Sequence, residues 1–431
     1  MAFFLFLLVN LVLFIRPAEL VPELATVPVY NIVIVAALIA ALPALVNLLT
    51  PSSLAAQPPV VCVLLLLPAI VVSFPLDLIG WGLRTAAMDF LKVVLYFLLL
   101  LAVVNTERRL KQFLCFLAVT VAVSASLSLL HERGAIHLPA LESIEQKQVD
   151  ADGNVISYPR LRSTGIFNDP NDFAMILTIG IVASLYFLGE RSWGVARIVW
   201  LLPIALCGYA FWLTRSRGGM LALFAAVTVL AHTRWGWRRA LLAAAVFSPI
   251  LALGLSGRGE AMGSGTGQQR VQFWSEGLLL MRDHPVFGIG HGNFVEEIRH
   301  VAHNSFVHSY TELGFVGGTL FFGANAAAAW TLYSIRRDPA MTESPEQKRL
   351  LSAVAAILLG AVVAQFSLSR AYTNTPYLAI GLATAFAAVV PLSRPYELPR
   401  FSLPFIWQLG VASAAFLVAI QVYVRFSVRW G

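Results

Sequence analysis

The sequence predicts an all-α, polytopic membrane protein of about 12–13 transmembrane helices with one large loop on a single side. Three observations predict it. Of 431 residues, 58% are hydrophobic and only 12% charged, where a soluble domain carries about 25% charge; mean hydropathy is +0.76. Runs such as Val93–Val104 and Ile179–Phe187 lie inside apolar stretches of roughly 18–20 residues, the length that crosses a hydrocarbon core of about 30 Å. Basic residues, finally, crowd into alternate loops. By this reading residues 1–256 are N-terminal transmembrane helices, 257–309 one large outer loop, and 310–431 C-terminal transmembrane helices.

Phe3–Ile15 is a short first span closed by Arg16-Pro17; it shows neither a basic n-region nor a small-residue cleavage site, so it is expected to stay attached. Apolar runs at Val29–Leu49, Pro59–Ser73, Ala86–Val104, Gln112–Leu130, Asn171–Leu188 and Val195–Leu213 give the next six spans. Gly218–Ala231, Ala240–Leu255, Tyr310–Tyr333, Leu350–Leu368, Pro376–Val390 and Pro404–Val424 complete the set. The shortest of these decide whether the count is thirteen or twelve, because helical rise fixes a minimum crossing length. Cys62, Cys115 and Cys207 all fall in apolar spans, which predicts neither a disulfide framework nor a thiolate metal site.

Orientation follows the Lys and Arg of the short loops. Arg108-Arg109-Leu110-Lys111, Arg191 with Arg197, Arg234 with Arg238-Arg239, Arg336-Arg337 with Lys348-Arg349, and Arg394 with Arg400 hold nearly half of the 30 basic residues and share one side. That side is expected to be cytoplasmic. The Ser73–Thr85 loop, the His131–Pro170 loop, the tight Thr214–Gly218 turn and Gly257–Ser309 then face outward, which in a bacterium is the periplasm. The C-terminal tail, with Arg425 and Arg429, runs against the rule.

The outward face collects Arg160, Arg162, Arg215, Arg217, Arg270 and Arg282, with His284, His291, His300, His303 and His308. The guanidinium fork suits phosphate and pyrophosphate, so the cluster suggests a lipid-linked phosphate. Snorkelling to headgroups is the commoner use of Arg near a helix end, and Arg160 and Arg282 are assigned to it. Arg215 and Arg217 differ, since Thr214–Gly219 is too tight to hold them clear of the membrane plane or an internal cavity. His303-Asn304 stands just before a span; an imidazole with an ordinary pKa near 6.5 can accept a proton at neutral pH, although such a His is more often structural. His303 and His308, five apart, do not share a helical face for a metal. Gly288-Ile289-Gly290-His291-Gly292 reads as a turn and not as a dinucleotide fingerprint. Gly314 and Gly317 read as positions of close helix packing, and Asp89 with Lys92 as an i,i+3 ion pair.

His303-Asn304, nine residues and then Gly314-x-x-Gly317 resembles the signature of the O-antigen ligase and polymerase superfamily. Arg270-x-x-x-Trp274, His284-Pro285-Val286-Phe287-Gly288-x-Gly290 and Asn293-Phe294 resemble the same family's periplasmic loop. Ser216-Arg217-Gly218 resembles its turn between two spans, and Arg162 with Gly165 and Asn168-Asp169-Pro170-Asn171 the opening of its middle helix. The first 150 residues resemble the family only in hydropathy. The resemblance implies an all-helical fold in the bacterial inner membrane and glycan transfer from an undecaprenyl-pyrophosphate-linked donor at the periplasmic face. The acceptor hydroxyl would belong to lipid A-core, a growing glycan or a protein. By position, His303 would be the base, Arg217 and Arg270 would bind pyrophosphate, and Arg162, Arg215 and Asn304 would assist. No cofactor, metal or nucleic-acid partner is expected. Glu296 and Glu297 diverge by about 100° on a helix and would not form one cation site. A lipid or solute transporter is the competing reading from another class. It would place ionisable residues at the midplane of broken helices, where this sequence has few.

Overall fold

Inside a bilayer the backbone has no water to bond, so apolar stretches satisfy their N–H and C=O groups by coiling into helices. The computed structural model describes residues 1–24, 26–74, 81–141, 144–149, 155–256, 266–338, 340, 344–394 and 397–428. Among them the expected spans are helical over most of their length: α1 (Ala2–Ile15), α2 (Val29–Leu48), α3 (Pro58–Ser73), α4 (Trp81–Val103), α5 (Glu107–Glu132), α6 (Pro170–Leu188), α7 (Leu201–Thr214), α8 (Arg217–Trp235) and α9 (Trp237–Ser256). Two helices, α10 (Thr266–Asp283) and α11 (Asn293–Ile298), build the outer segment, followed by α12 (Ser305–Arg336), α13 (Pro345–Gln365), α14 (Asn374–Val389) and α15 (Leu403–Ser427). The protein is an all-α polytopic membrane protein. Its one sheet among the described residues is a hairpin, β1 (Ile144–Val149) antiparallel to β2 (Val155–Arg160).

Helix α6 is the innermost span, buried almost throughout. Helices α2, α7 and α15 lie outside it and present Ile32, Ile39, Leu202, Trp212 and Trp407 outward, as a lipid-facing surface requires. Residues 195–200, expected to open a membrane helix, instead belong to the 3-10 turns of Arg191–Trp200, broken at Gly194 (φ 53). Asp89 and Lys92 form the expected exposed ion pair, at 2.7 Å. Ser264 and the start of the expected outer loop, like Arg429, lie outside the described residues.

The basic loops meet at one end of the bundle. Arg349 donates to Gly189 O at 3.0 Å and pairs with Glu190. Lys111 pairs with Glu107 at 2.6 Å and with Glu346, and Arg336 Nη1 lies 2.9 Å from His232 Nε2. Asp338 accepts from the backbone N–H groups of Ser393 and Arg394 at 3.1 and 2.8 Å. The N-terminus is at this basic end, where Arg109 sits 5.6 Å over the Phe3 ring. Helix α15 ends at the other, where Gln268 Nε2 donates to Ser427 O at 3.2 Å. The two termini therefore lie at opposite ends of the bundle, as an odd number of crossings requires.

One correction concerns Gly314. Helix α12 starts at Ser305 and is interrupted at Gly314, with φ 63 and ψ −163, a backbone region open essentially to glycine. The break frees backbone groups, and residues 285–290 of the outer segment take them. Ile289 N and Gly290 N donate to the carbonyls of Thr311 and Glu312 at 3.1 and 2.9 Å, while Phe315 N and Val316 N donate to those of Pro285 and Val286 at 2.8 and 3.1 Å. A Cβ on Gly288 would lie 2.4 Å from the Glu312 backbone, and one on Gly314 would lie 2.4 Å from that of Val286. These glycines dock a loop onto a broken helix and do not serve helix–helix packing. Gly314→Ala is accordingly expected to cost at least about 1–3 kcal/mol of strain before the clash is counted. A lowered melting temperature in detergent would record it, with Gly410→Ala, whose Cβ meets nothing within 4 Å, as the neutral control.

Candidate active site

Four helices, α6, α8, α12 and α14, begin at the end opposite the basic loops, and three of these starts are tied to one another. Asp169 caps α6, accepting from Asn171 N at 2.7 Å and Asp172 N at 3.4 Å, with Pro170 at the first helical position, where its missing N–H costs nothing. Ser216 caps α8 by accepting from Gly219 N at 3.0 Å, and its hydroxyl donates to Asn171 Oδ1 at 2.8 Å. Arg160 completes the brace, donating to Asn171 Oδ1 at 3.0 Å and to Thr214 O at 2.9 Å. Arg160 is thus a cross-link between α6 and the turn before α8, not a snorkelling residue. Arg282 is exposed beside Asp283, as expected.

The same construction presents the expected Arg residues. Arg215 occupies the left-handed turn between α7 and α8 with φ 50 and is exposed. Arg217 is the first residue of α8, where the helix dipole disfavours a cation; its Nε is buried with no hydrogen-bond partner. Arg162 is half-buried in the segment entering α6, whose neighbour Leu161 donates its N–H to Leu213 O at 3.1 Å and so lies beside that turn.

Helix α10 carries Arg270 and, one turn on, Trp274, whose indole donates to Ala302 O at 2.6 Å. This bond fixes α10 against the residue preceding His303. His303 itself takes a positive φ of 50, a conformation uncommon for a side-chain-bearing residue and found disproportionately at functional sites. The next residue, Asn304, is buried and caps α12, its Oδ1 accepting from Phe306 N at 3.0 Å and Val307 N at 3.2 Å. That oxygen is committed to the cap, so Asn304 acts by holding the turn that presents His303.

Burial, and then the Arg270 guanidinium, push the His303 imidazole down to about 4, with Asp169 opposing and Arg370 and His300 adding to the shift. Burial also lowers Arg270, with Asp169 opposing and Arg217 reinforcing. Residues far apart in sequence therefore share one electrostatic site: Asp169, Arg217, Arg270, His303 and Arg370. His284, His291, His300 and His308 do not join it in the same way. His308 lies 3.1 Å from the buried Glu312 carboxylate, His291 packs against Tyr372, His300 stacks on Phe273, and His284 is exposed. Among the described residues no group of three or more His, Cys, Asp or Glu is arranged to hold a metal.

Sequence reasoning passed over Arg370. Its Nε lies 2.7 and 2.8 Å from the two carboxylate oxygens of buried Asp172, and Nη2 closes the fork. Its backbone N–H donates to Ser305 Oγ at 2.9 Å, and Ser305 in turn donates to Leu368 O at 2.6 Å. Arg370 thereby joins α6 to the start of α12. A signal was present: it is a basic residue on the side where such residues are disfavoured, the argument already applied to Arg217. Glu312 was also missed; its Oε1 accepts from Gly292 N at 2.9 Å and Phe294 N at 3.2 Å and pins the outer segment to α12.

Chemically the site offers guanidinium charge in excess of its carboxylates, among the described residues, for an oxyanion, beside an imidazole that is neutral at physiological pH and able to take a proton. Residues 201–322 match the family model described as O-antigen ligase, and the match supports membership of the O-antigen ligase superfamily. It takes in Arg215, Arg217, Arg270, His303 and Asn304 and leaves out Arg162 and Arg370. No curated protein matches the chain.

Proposed function

We propose that this membrane protein, which carries an O-antigen ligase domain, transfers a glycan from an undecaprenyl-pyrophosphate-linked donor to an acceptor hydroxyl at the periplasmic face of a bacterial inner membrane. Ligation of O-antigen to lipid A-core is the leading form. The observation that carries this reading is the meeting of Arg217 and Arg270, from separate elements, with His303 beside them and, among the described residues, Asp169 as the carboxylate that offsets the charge at Arg270 and His303. Two half-buried like charges held together are offset when an anion joins them, and pyrophosphate is such an anion. In the reaction the imidazole takes the acceptor's proton as the acceptor oxygen bonds to the sugar's anomeric carbon. The bond from that carbon to the pyrophosphate oxygen breaks, and the charge developing on the leaving group falls to the guanidinium donors. Helix starts at α6, α8 and α12 add partial positive charge at the same end.

A repeat-unit polymerase or a protein O-oligosaccharyltransferase would use the same donor chemistry with a different acceptor. Purified protein given the lipid-linked donor and, separately, lipid A-core, a second lipid-linked repeat or a Ser/Thr peptide should release undecaprenyl pyrophosphate with the first. Release with none of the three would refute glycan transfer as the activity. A transporter reading fits less well, because the charged residues gather at the helix ends and not at the midplane.

Orientation is tested separately. A single cysteine at Arg282 is expected to react with a membrane-impermeant maleimide in outer-membrane-permeabilised cells, and one at Arg337 is not. The opposite pattern would place the site in the cytoplasm.

A further inference from the structure

At the basic end, away from the candidate active site, a cavity of about 590 Å³ is walled by His232, Arg234, Arg238, Arg239, Arg336 and Lys348. We propose that it binds a phosphate-bearing anion, namely the headgroup of an anionic phospholipid.

Positive charge on this side is expected from topology alone, but topology does not require the charges to share one concavity. Nor does it leave them unneutralised. Outside the cavity, Lys111, Arg349 and Arg394 at the same end each have a carboxylate partner. Among the described residues, the five cavity Arg and Lys side chains have none, and no carboxylate lines the walls. His232 Nε2, 2.9 Å from Arg336 Nη1, accepts from the guanidinium, which can only donate, and brings no carboxylate to the cavity.

Helix dipoles explain part of the cluster and fail for the rest. Arg234 lies in the last turn of α8 and Arg336 in the last turn of α12, where cations are favoured. Arg238 and Arg239 open α9 and Lys348 opens α13, and there the dipole opposes them. Three cations held against the local field, facing two more across a cavity, call for a bound anion.

The surroundings favour a lipid as its source. Trp235 and Trp237 are exposed at the rim, under Arg234 at 4.9 Å and Arg238 at 5.9 Å, the arrangement of an interfacial aromatic belt. Below them α9 exposes Leu241, Leu242 and Val246, a greasy strip on which acyl chains can lie. Basic pockets between transmembrane helices recognise headgroups in this way.

The test uses the purified full-length protein in detergent, with native mass spectrometry of lipid retention. Phosphatidylglycerol and phosphatidylcholine are the lipid probes, and glycerol 3-phosphate and inorganic phosphate the soluble ones. Wild type should retain phosphatidylglycerol over phosphatidylcholine, and Arg239→Gln, Arg336→Gln and Lys348→Gln should each weaken retention about fivefold. Exposed Lys348 and Arg239 keep the test valid if Arg336→Gln disturbs His232. Arg337→Gln removes the same charge outside the cavity and should change nothing. Binding of the soluble phosphates, lost in the same variants but without lipid preference, would keep the phosphate site and name a free ligand. Equal retention of both lipids with no phosphate binding, or an equal loss in Arg337→Gln, would overturn the proposal. Neither result bears on glycan transfer, which is read at the other end.

Discussion

Replacing His303 with Ala is expected to lower transfer by on the order of 10²–10⁴-fold while donor binding persists. A protonated hydroxyl is a poor nucleophile, and the imidazole is the group at the site suited to remove that proton. Arg217 and Arg270 remain in the variant, so the lipid-linked donor should still be retained in a pull-down. Excess chelator should leave wild-type transfer intact. Near-normal turnover by His303→Ala, with the Asn304 cap in place, would demote His303 to a structural residue; loss of wild-type activity in chelator would overturn the metal-free mechanism.

The pH dependence has a definite sign. The neutral imidazole is the active form, and in the free protein it is held to about 4 by burial and then by Arg270. It is therefore available at neutral pH and is lost only as pH falls through about 4. Binding a pyrophosphate beside Arg270 adds negative charge, which favours the imidazolium and raises the group. The acid limb of kcat/KM, which reports the free protein, should accordingly lie below that of kcat, which reports the complex. Coincident limbs would show that the donor's charge is not felt at His303.

Arg217→Lys and Arg270→Lys should each lower kcat/KM by about tenfold to a hundredfold, the worth of one charge-assisted hydrogen bond lost with the fork. Charge is kept, so insertion and folding should be unaffected, as detergent-extracted yield and melting temperature would show. The two losses should not add, because both residues grip one anion. Arg215→Lys, on an exposed turn, is expected to cost less. Unchanged transfer in both single variants would remove the pyrophosphate assignment.

Hydropathy was enough to place the helices, though not the 3-10 turns before Leu201, because lipid forces an apolar run of this length into a helix regardless of its neighbours. The charge asymmetry was equally legible: the loops holding Arg109, Arg234, Arg336 and Arg349 do meet at one end. What escaped was pairing between distant segments. Arg370 owes its position to Asp172, and nothing in either local sequence names the other. Glu312 escaped for the same reason, since its donors are the backbone N–H groups of Gly292 and Phe294, about twenty residues upstream. Gly314 was misread for a related reason. Glycines at helical spacing usually admit a second helix, and only the partner at Val286 shows that this one admits a loop.

The stitching of residues 285–290 to 311–316 runs through main-chain atoms, and this bears on modularity. Each half completes the other's bonding, so the loop is not a cassette. Grafting the outer segment onto another scaffold without the interrupted helix would leave its amides and carbonyls unanswered. The two halves form one unit of exchange, and a chimera that varies acceptor preference should either carry both across together or cut within the stretches of α10 and α11 that lie outside the seam.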